Sequence, residues 1–137
     1  METRGVTVTE AHIVNWSMLS GDWLPIHVDH EVGRAGPFGS IIGHGPLTLN
    51  LALGLVVQSG FFGDAIIAWL GLDTVRLPRP VRPGDTIRAR VEVVEQVPTK
   101  RPECGRVSVA YDVRNQHDES VLTCTSALLM RRRDPGS

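Results

Sequence analysis

Residues 45–59 read GPLTLNLALGLVVQS, and apolar side chains from Leu47 to Val57 leave almost no polar face. The spacing predicts a helix buried on most sides, with Pro46 where a first turn tolerates it and Gly60 where a helix can stop. An earlier helix starts from Thr9, which can cap. Ile13, Val14, Trp16, Met18 and Leu19 then recur at intervals of three and four until Ser20-Gly21. Between the two helices GDWLPIHVDH reads as irregular backbone, followed by a helical turn at His30 to Ala35 and a break at GPFGS. The rest reads as strands at Ala65–Trp69, Leu72–Leu77, Thr86–Val97, Arg106–Asn115 and Val121–Arg131, rich in Val, Ile, Thr and Arg. Turn chemistry separates them at Arg82–Asp85 and Asn115–Glu119. One greasy helix followed by an antiparallel meander is an α+β layout, the sheet curled around the helix. The tail Arg131–Ser137 reads as frayed, and no internal repeat or low-complexity segment is visible.

At 137 residues and 15.0 kDa, residues 1–137 form a single expected domain. Hydrophobic residues at 42% and charged residues at 21% exclude a disordered chain. No apolar run is long enough for a membrane helix, and the start METRGVTVTE lacks a secretion signal, so the expected location is cytoplasmic. Cys104 and Cys124 are too few for a disulfide scaffold and match no zinc spacing. The net charge of −1 speaks against a general nucleic-acid binder, as does the scatter of Trp16, Trp23 and Trp69. The charge is uneven, however. Residues 1–75 hold two basic and seven acidic groups, whereas residues 76–137 hold twelve basic and eight acidic. Arg76, Arg79, Arg82, Arg88 and Arg90 crowd into one stretch, which reads either as a phosphate-binding patch or as the solvated outer faces of strands.

Two constellations can carry chemistry. Asp22 and His27 lie five apart in one loop stiffened by Pro25, a carboxylate and an imidazole able to grip one water between them. The plainer reading is a turn cap and a partly buried histidine. Gly43-His44-Gly45 stands directly before the greasy helix, whose first amides are unpaired and whose dipole is positive at that end. A thioester carbonyl docked on Gly45 would make its β-carbon electrophilic. The plainer reading is a glycine turn with His44 packed or capping. His27, Asp29 and His30 can bind metals but match no zinc motif, so no metal is expected. Neither a G-x-S-x-G elbow, a P-loop nor a dinucleotide fingerprint is present.

The segment SGDWLPIHVDHEVGRAGPFGSIIGHGPLTLNLALGL resembles the signature of the MaoC-like, (R)-specific enoyl-CoA hydratase family, and GLDTVRLPRPVRPGDTIRARVEVVE is similar to its downstream strand and Pro-Gly-Asp turn. The resemblance implies a hot-dog fold, a long helix wrapped by an antiparallel sheet, in homodimers or higher homo-oligomers with sites at the subunit interface. It implies Asp22 and His27 as the catalytic pair and the Gly45 amide as donor to the thioester carbonyl. One position departs from the pattern: Leu24 stands where the family usually has Asn. An apolar Leu24 beside Trp23 is expected to form a substrate-binding wall next to the water site. The implied activity is a hydro-lyase acting on a trans-2-enoyl or 3-hydroxyacyl thioester of CoA or an acyl carrier, with no resident cofactor and no nucleic-acid or membrane partner. A hot-dog thioesterase and a non-catalytic acyl-thioester binder are the alternatives.

Overall fold

The structure, a computed structural model, describes residues 1–133. In chain order it comprises β1 (Val6–Thr7), α1 (Glu10–Ser20), α2 (Pro25–Val28), α3 (His30–Ala35), α4 (Gly45–Gln58), β2 (Ile66–Arg76), β3 (Thr86–Pro98), β4 (Cys104–Arg114) and β5 (Ser120–Arg131). All strand pairs are antiparallel, in the order β1-β3-β4-β5-β2. The meander β3-β4-β5 follows from local turns: Asn115 Oδ1 accepts the N–H groups of His117 and Glu119 at 2.9 and 3.1 Å, folding β4 back into β5.

Alternation decides which face is inward. On β3, Ile87, Ala89 and Val91 are buried while Arg88 and Arg90 turn outward, and Val109, Tyr111 and Val113 continue the inner face on β4. Against this face lies α4, burying Leu47, Thr48, Ala52, Leu55 and Val56. Each fully buried Leu or Val of this kind stabilises by about 1.5–3 kcal/mol. Only Pro46, Asn50, Val57 and Gln58 of α4 are exposed, so the helix is covered on most of its circumference, as its composition predicts.

The structure departs from the sequence reading in four places. The two strands expected at 65–69 and 72–77 are one strand, β2, whose pairing with β5 continues through three register shifts that curl it. Pro25–Val28, expected to be irregular, forms one helical turn with Pro25 at its start. The two-residue β1 has no sequence signature of its own; its pairing with Thr86 and Ile87 creates it. Arg131 still belongs to β5, and the Arg132 amide bonds the Glu103 carbonyl at 2.8 Å, so fraying does not begin at 131; the remaining tail residues, 134–137, lie outside the described residues.

Candidate active site

Helix α1 stops at Gly21, whose φ of 81° is left-handed and whose amide bonds the Ser17 carbonyl at 2.8 Å. The chain therefore turns sharply into Asp22. There Asp22 Oδ1 accepts the Leu24 amide at 3.3 Å, which leaves Oδ2 facing the site. On α2, His27 donates from Nδ1 to the Ile42 carbonyl at 2.7 Å. Its Nε2 then faces Asp22 Oδ2 at 3.7 Å, beyond a hydrogen bond. The His27 side chain is 9% exposed and that of Asp22 39%, so the pair opens toward solvent from the carboxylate side.

The carbonyl that holds His27 is itself held. Gly33, in α3, is buried beneath the chain that crosses it, and a Cβ there would lie 2.4 Å from the Ile41 nitrogen and 2.6 Å from the Ser40 carbonyl carbon. Only glycine permits that crossing. Next along the chain, the Ile42 amide bonds the Ile26 carbonyl at 3.1 Å and the Gly43 amide the Val81 carbonyl at 2.7 Å. These bonds deliver His44 and Gly45 to the start of α4. The Gly45 amide has no acceptor among the described residues. A Cβ on Gly45 would meet only the Leu77 side chain, with Cδ1 at 2.7 Å, an exposed tip that can swing aside, so packing alone does not demand glycine there.

Sequence spacing could not show that His44 belongs to this group. It is 1% exposed, and its ring stacks on His27 with centroids 3.8 Å apart and 25° between planes. Its Nε2 lies 3.0 Å from Ser17 Oγ and 3.1 Å from the Asp22 main-chain oxygen. Burial lowers its pKa below the ordinary 6.5, with the Asp22 carbonyl bond opposing. Asp22, His27 and His44 offer ligand atoms within 4.8 Å of one another. Stacked imidazoles, however, send their in-plane lone pairs out side by side rather than toward a shared point, a poor fit to a coordination shell.

Trp23 and Leu24 stand exposed, at 51% and 59%, in the loop between Asp22 and His27. The arginine stretch does not form one free patch. Arg88 and Arg90 both bond Glu2 and Asp118, Arg79 pairs with Glu119, and Arg82 donates to the Phe38 carbonyl. Arg76 and Arg82 form no ion pair among the described residues, and Arg76 makes no side-chain hydrogen bond there either. No helix among them is long and apolar enough to cross a membrane.

Comparison with known proteins fits this arrangement. Over 133 residues, 96% of this chain and 92% of the other, it is 32% identical to the uncharacterized protein YdeM of Bacillus subtilis strain 168. It is 39% identical over 90 residues to 3-hydroxyacyl-thioester dehydratase Z of Mycobacterium tuberculosis, a match covering 65% of this chain and 60% of that protein. The crystal structure of a monoamine oxidase regulatory protein from Archaeoglobus fulgius superimposes with a TM-score of 0.91 at 37% identity, covering 98% of this chain and 89% of that one. The curled sheet around α4 is thus the hot-dog fold. The family model described as MaoC like domain matches residues 1–115, a stretch that takes in Asp22, His27 and the Gly43–Gly45 turn, and the chain belongs to that family.

Proposed function

We propose that the protein is a hydro-lyase that adds water to a trans-2-enoyl thioester or removes it from the 3-hydroxyacyl form. The observation that carries this reading is the 3.7 Å gap between Asp22 Oδ2 and His27 Nε2, with the far side of the imidazole tied to the Ile42 carbonyl. One water forming hydrogen bonds of about 2.8 Å touches both groups across such a gap. In hydration one group takes a proton from the water as its oxygen bonds to Cβ, the other holds the water by its remaining hydrogen, and the proton taken is the one Cα receives when the enolate collapses, so the pair ends as it began. Negative charge then gathers on the thioester oxygen, where the unpaired Gly45 amide and the positive end of α4 stabilise it. These steps are acid–base chemistry supplied by the chain's own residues. The name of the mycobacterial relative, a 3-hydroxyacyl-thioester dehydratase, supports the same reaction class.

The acyl chain runs past the apolar pair Trp23 and Leu24, and the thioester is carried by CoA or an acyl carrier. The working unit is a homodimer. Among the described residues β2 pairs only with β5, and it exposes Ile66, Ile67, Leu70 and Val75, an open edge that a second copy's β2 would close. A cytoplasmic setting accords with the two free, buried cysteines.

Incubation with crotonyl-CoA tests the reaction when enoyl absorbance and free thiol are followed together. Loss of absorbance without thiol release is the expected result. Thiol release would make the protein a thioesterase, and neither signal would leave it a thioester binder.

A further inference from the structure

His44 sits at the N-cap of α4 yet makes no capping bond to the helix amides. Its side chain is spent elsewhere. Nε2 faces two oxygens, Ser17 Oγ at 3.0 Å and the Asp22 main-chain carbonyl at 3.1 Å, while Nδ1 is buried without a partner among the described residues. These contacts fix the proton. A carbonyl oxygen can only accept, so the nitrogen facing it carries the hydrogen. A proton on Nδ1 instead would set the Nε2 lone pair against the carbonyl and bury an unbonded N–H as well. A doubly protonated ring would bury that same N–H and place a cation against His27.

The Asp22 turn needs an outside anchor. Its own bonds, Trp23 amide to Gly21 carbonyl at 3.2 Å and Leu24 amide to Asp22 Oδ1 at 3.3 Å, order the loop within itself without fixing it to the scaffold. His44 joins it to two helices at once. Its nitrogen reaches Ser17, fully buried on α1, its backbone begins α4, and its ring backs His27 of α2. The groups facing it are Ser17 from α1, Asp22 from the turn and His27 from α2; the last two ionise. A neutral ring face tolerates a proton arriving on His27, whereas a charged one would repel it.

We infer that His44 is a positioning residue for the Asp22–His27 pair, a permanent Nε2–H donor that ties the Asp22 main chain to Ser17 and buttresses the His27 ring. Its kinetic consequence rests on the hydro-lyase reading; its structural role does not.

Two variants separate the parts of this role. His44→Gln keeps an N–H donor near the Nε2 position, and His44→Phe keeps a stacked ring without one. With crotonyl-CoA, His44→Phe should lower kcat between about 10- and 100-fold at little change in KM, the cost of a slightly misplaced catalytic group, and His44→Gln should recover much of the loss. Two readouts are independent of turnover. Long-range proton–nitrogen correlation spectra of the wild-type histidines should show His44 protonated at Nε2 and bare at Nδ1. Amide exchange at Trp23 and Leu24 should quicken in His44→Phe but not in His44→Gln. A proton found on Nδ1, or wild-type kcat and exchange in His44→Phe, overturns the inference. A wild type inactive on enoyl thioesters fails the hydro-lyase reading alone, and the tautomer and exchange then decide the role of His44, the tautomer needing no variant to fold.

Discussion

Two polar clusters on this chain are finished to different degrees. Where the N-terminal segment crosses β3, Glu2 bonds Arg88 and Arg90, both also bond Asp118, and Arg114 bonds Asp112 and reaches the Asp118 carbonyl. Donors and acceptors there are matched. Around α2 they are not: among the described residues Asp22 Oδ2 stops 3.7 Å short of His27 Nε2, the Gly45 amide lacks an acceptor and His44 Nδ1 lacks a donor. A saturated network has no bonding capacity left to offer a substrate. Unspent capacity, rather than density of charge, separates the site from the clamp, and of the arginine-rich stretch that stands out in the sequence Arg88 and Arg90 belong to the clamp.

The largest effects should come from the unfinished cluster. Asp22→Asn and His27→Gln are each expected to lower kcat by about 10² or more on enoyl thioesters while leaving the unfolding midpoint near wild type. Arg90→Gln should do the reverse, with kcat unchanged and a small drop in midpoint. Enoyl-CoA kinetics beside thermal melts check this, and an inactive Arg90→Gln or a fully active Asp22→Asn would erase the contrast.

A middle-sized effect is expected at Leu24. Its amide, not its side chain, bonds Asp22 Oδ1, so Leu24→Asn leaves that bond in place. If Leu24 forms the wall proposed for the acyl chain, an unpaired amide there against an apolar group costs about 1–3 kcal/mol, and kcat/KM on the preferred chain length should fall. A series of acyl chains measures it, and an equal gain at every length would mean that Leu24 merely fills the place of a supporting hydrogen bond.

The smallest effects concern acid. Bonds from Arg90 and then Arg88 hold the Glu2 carboxyl below its ordinary 4.5, so the clamp's contribution is present above that value and fades as pH falls below it. Burial holds His44 below 6.5, so the folded state favours the neutral ring, and that stability is present above 6.5 and fades as pH falls below it. Acid should therefore loosen the site before the clamp. Amide exchange at Leu24 and Thr3, corrected for intrinsic rates, should show Leu24 responding first as pH is lowered; simultaneous loss would break the distinction.

Elements with a strong period were legible in the sequence. Helix α4 shows in its run of leucines, and β3 in the alternation of Ile87, Ala89 and Val91 with arginines. Elements made by their partners were not: β1 exists through its pairing with β3, and α2 is too short for any period to develop. The site divides in the same way. Asp22 and His27 lie only five residues apart and could be paired by eye. The Ile42 carbonyl that orients His27 lies 15 residues away, and the Ser17 hydroxyl facing His44 lies 27 away, contacts set by where helices cross. Pairing of Arg88 and Arg90 with Glu2 spans 86 and 88 residues, which is why those arginines read as free when taken from the sequence alone.

Gly33 makes no contact with Asp22 or His27 through a side chain, having none, yet the chain that crosses it leads straight into the carbonyl holding His27. A single added methyl there would push the Ser40–Ile41 backbone outward and, with it, the oxygen that orients the imidazole. In a survey of tolerated substitutions scored by turnover, Gly33 should rank beside Asp22 and His27, although it offers no side-chain atom to a reaction; such a survey would trace the scaffolding of the site as faithfully as the site itself.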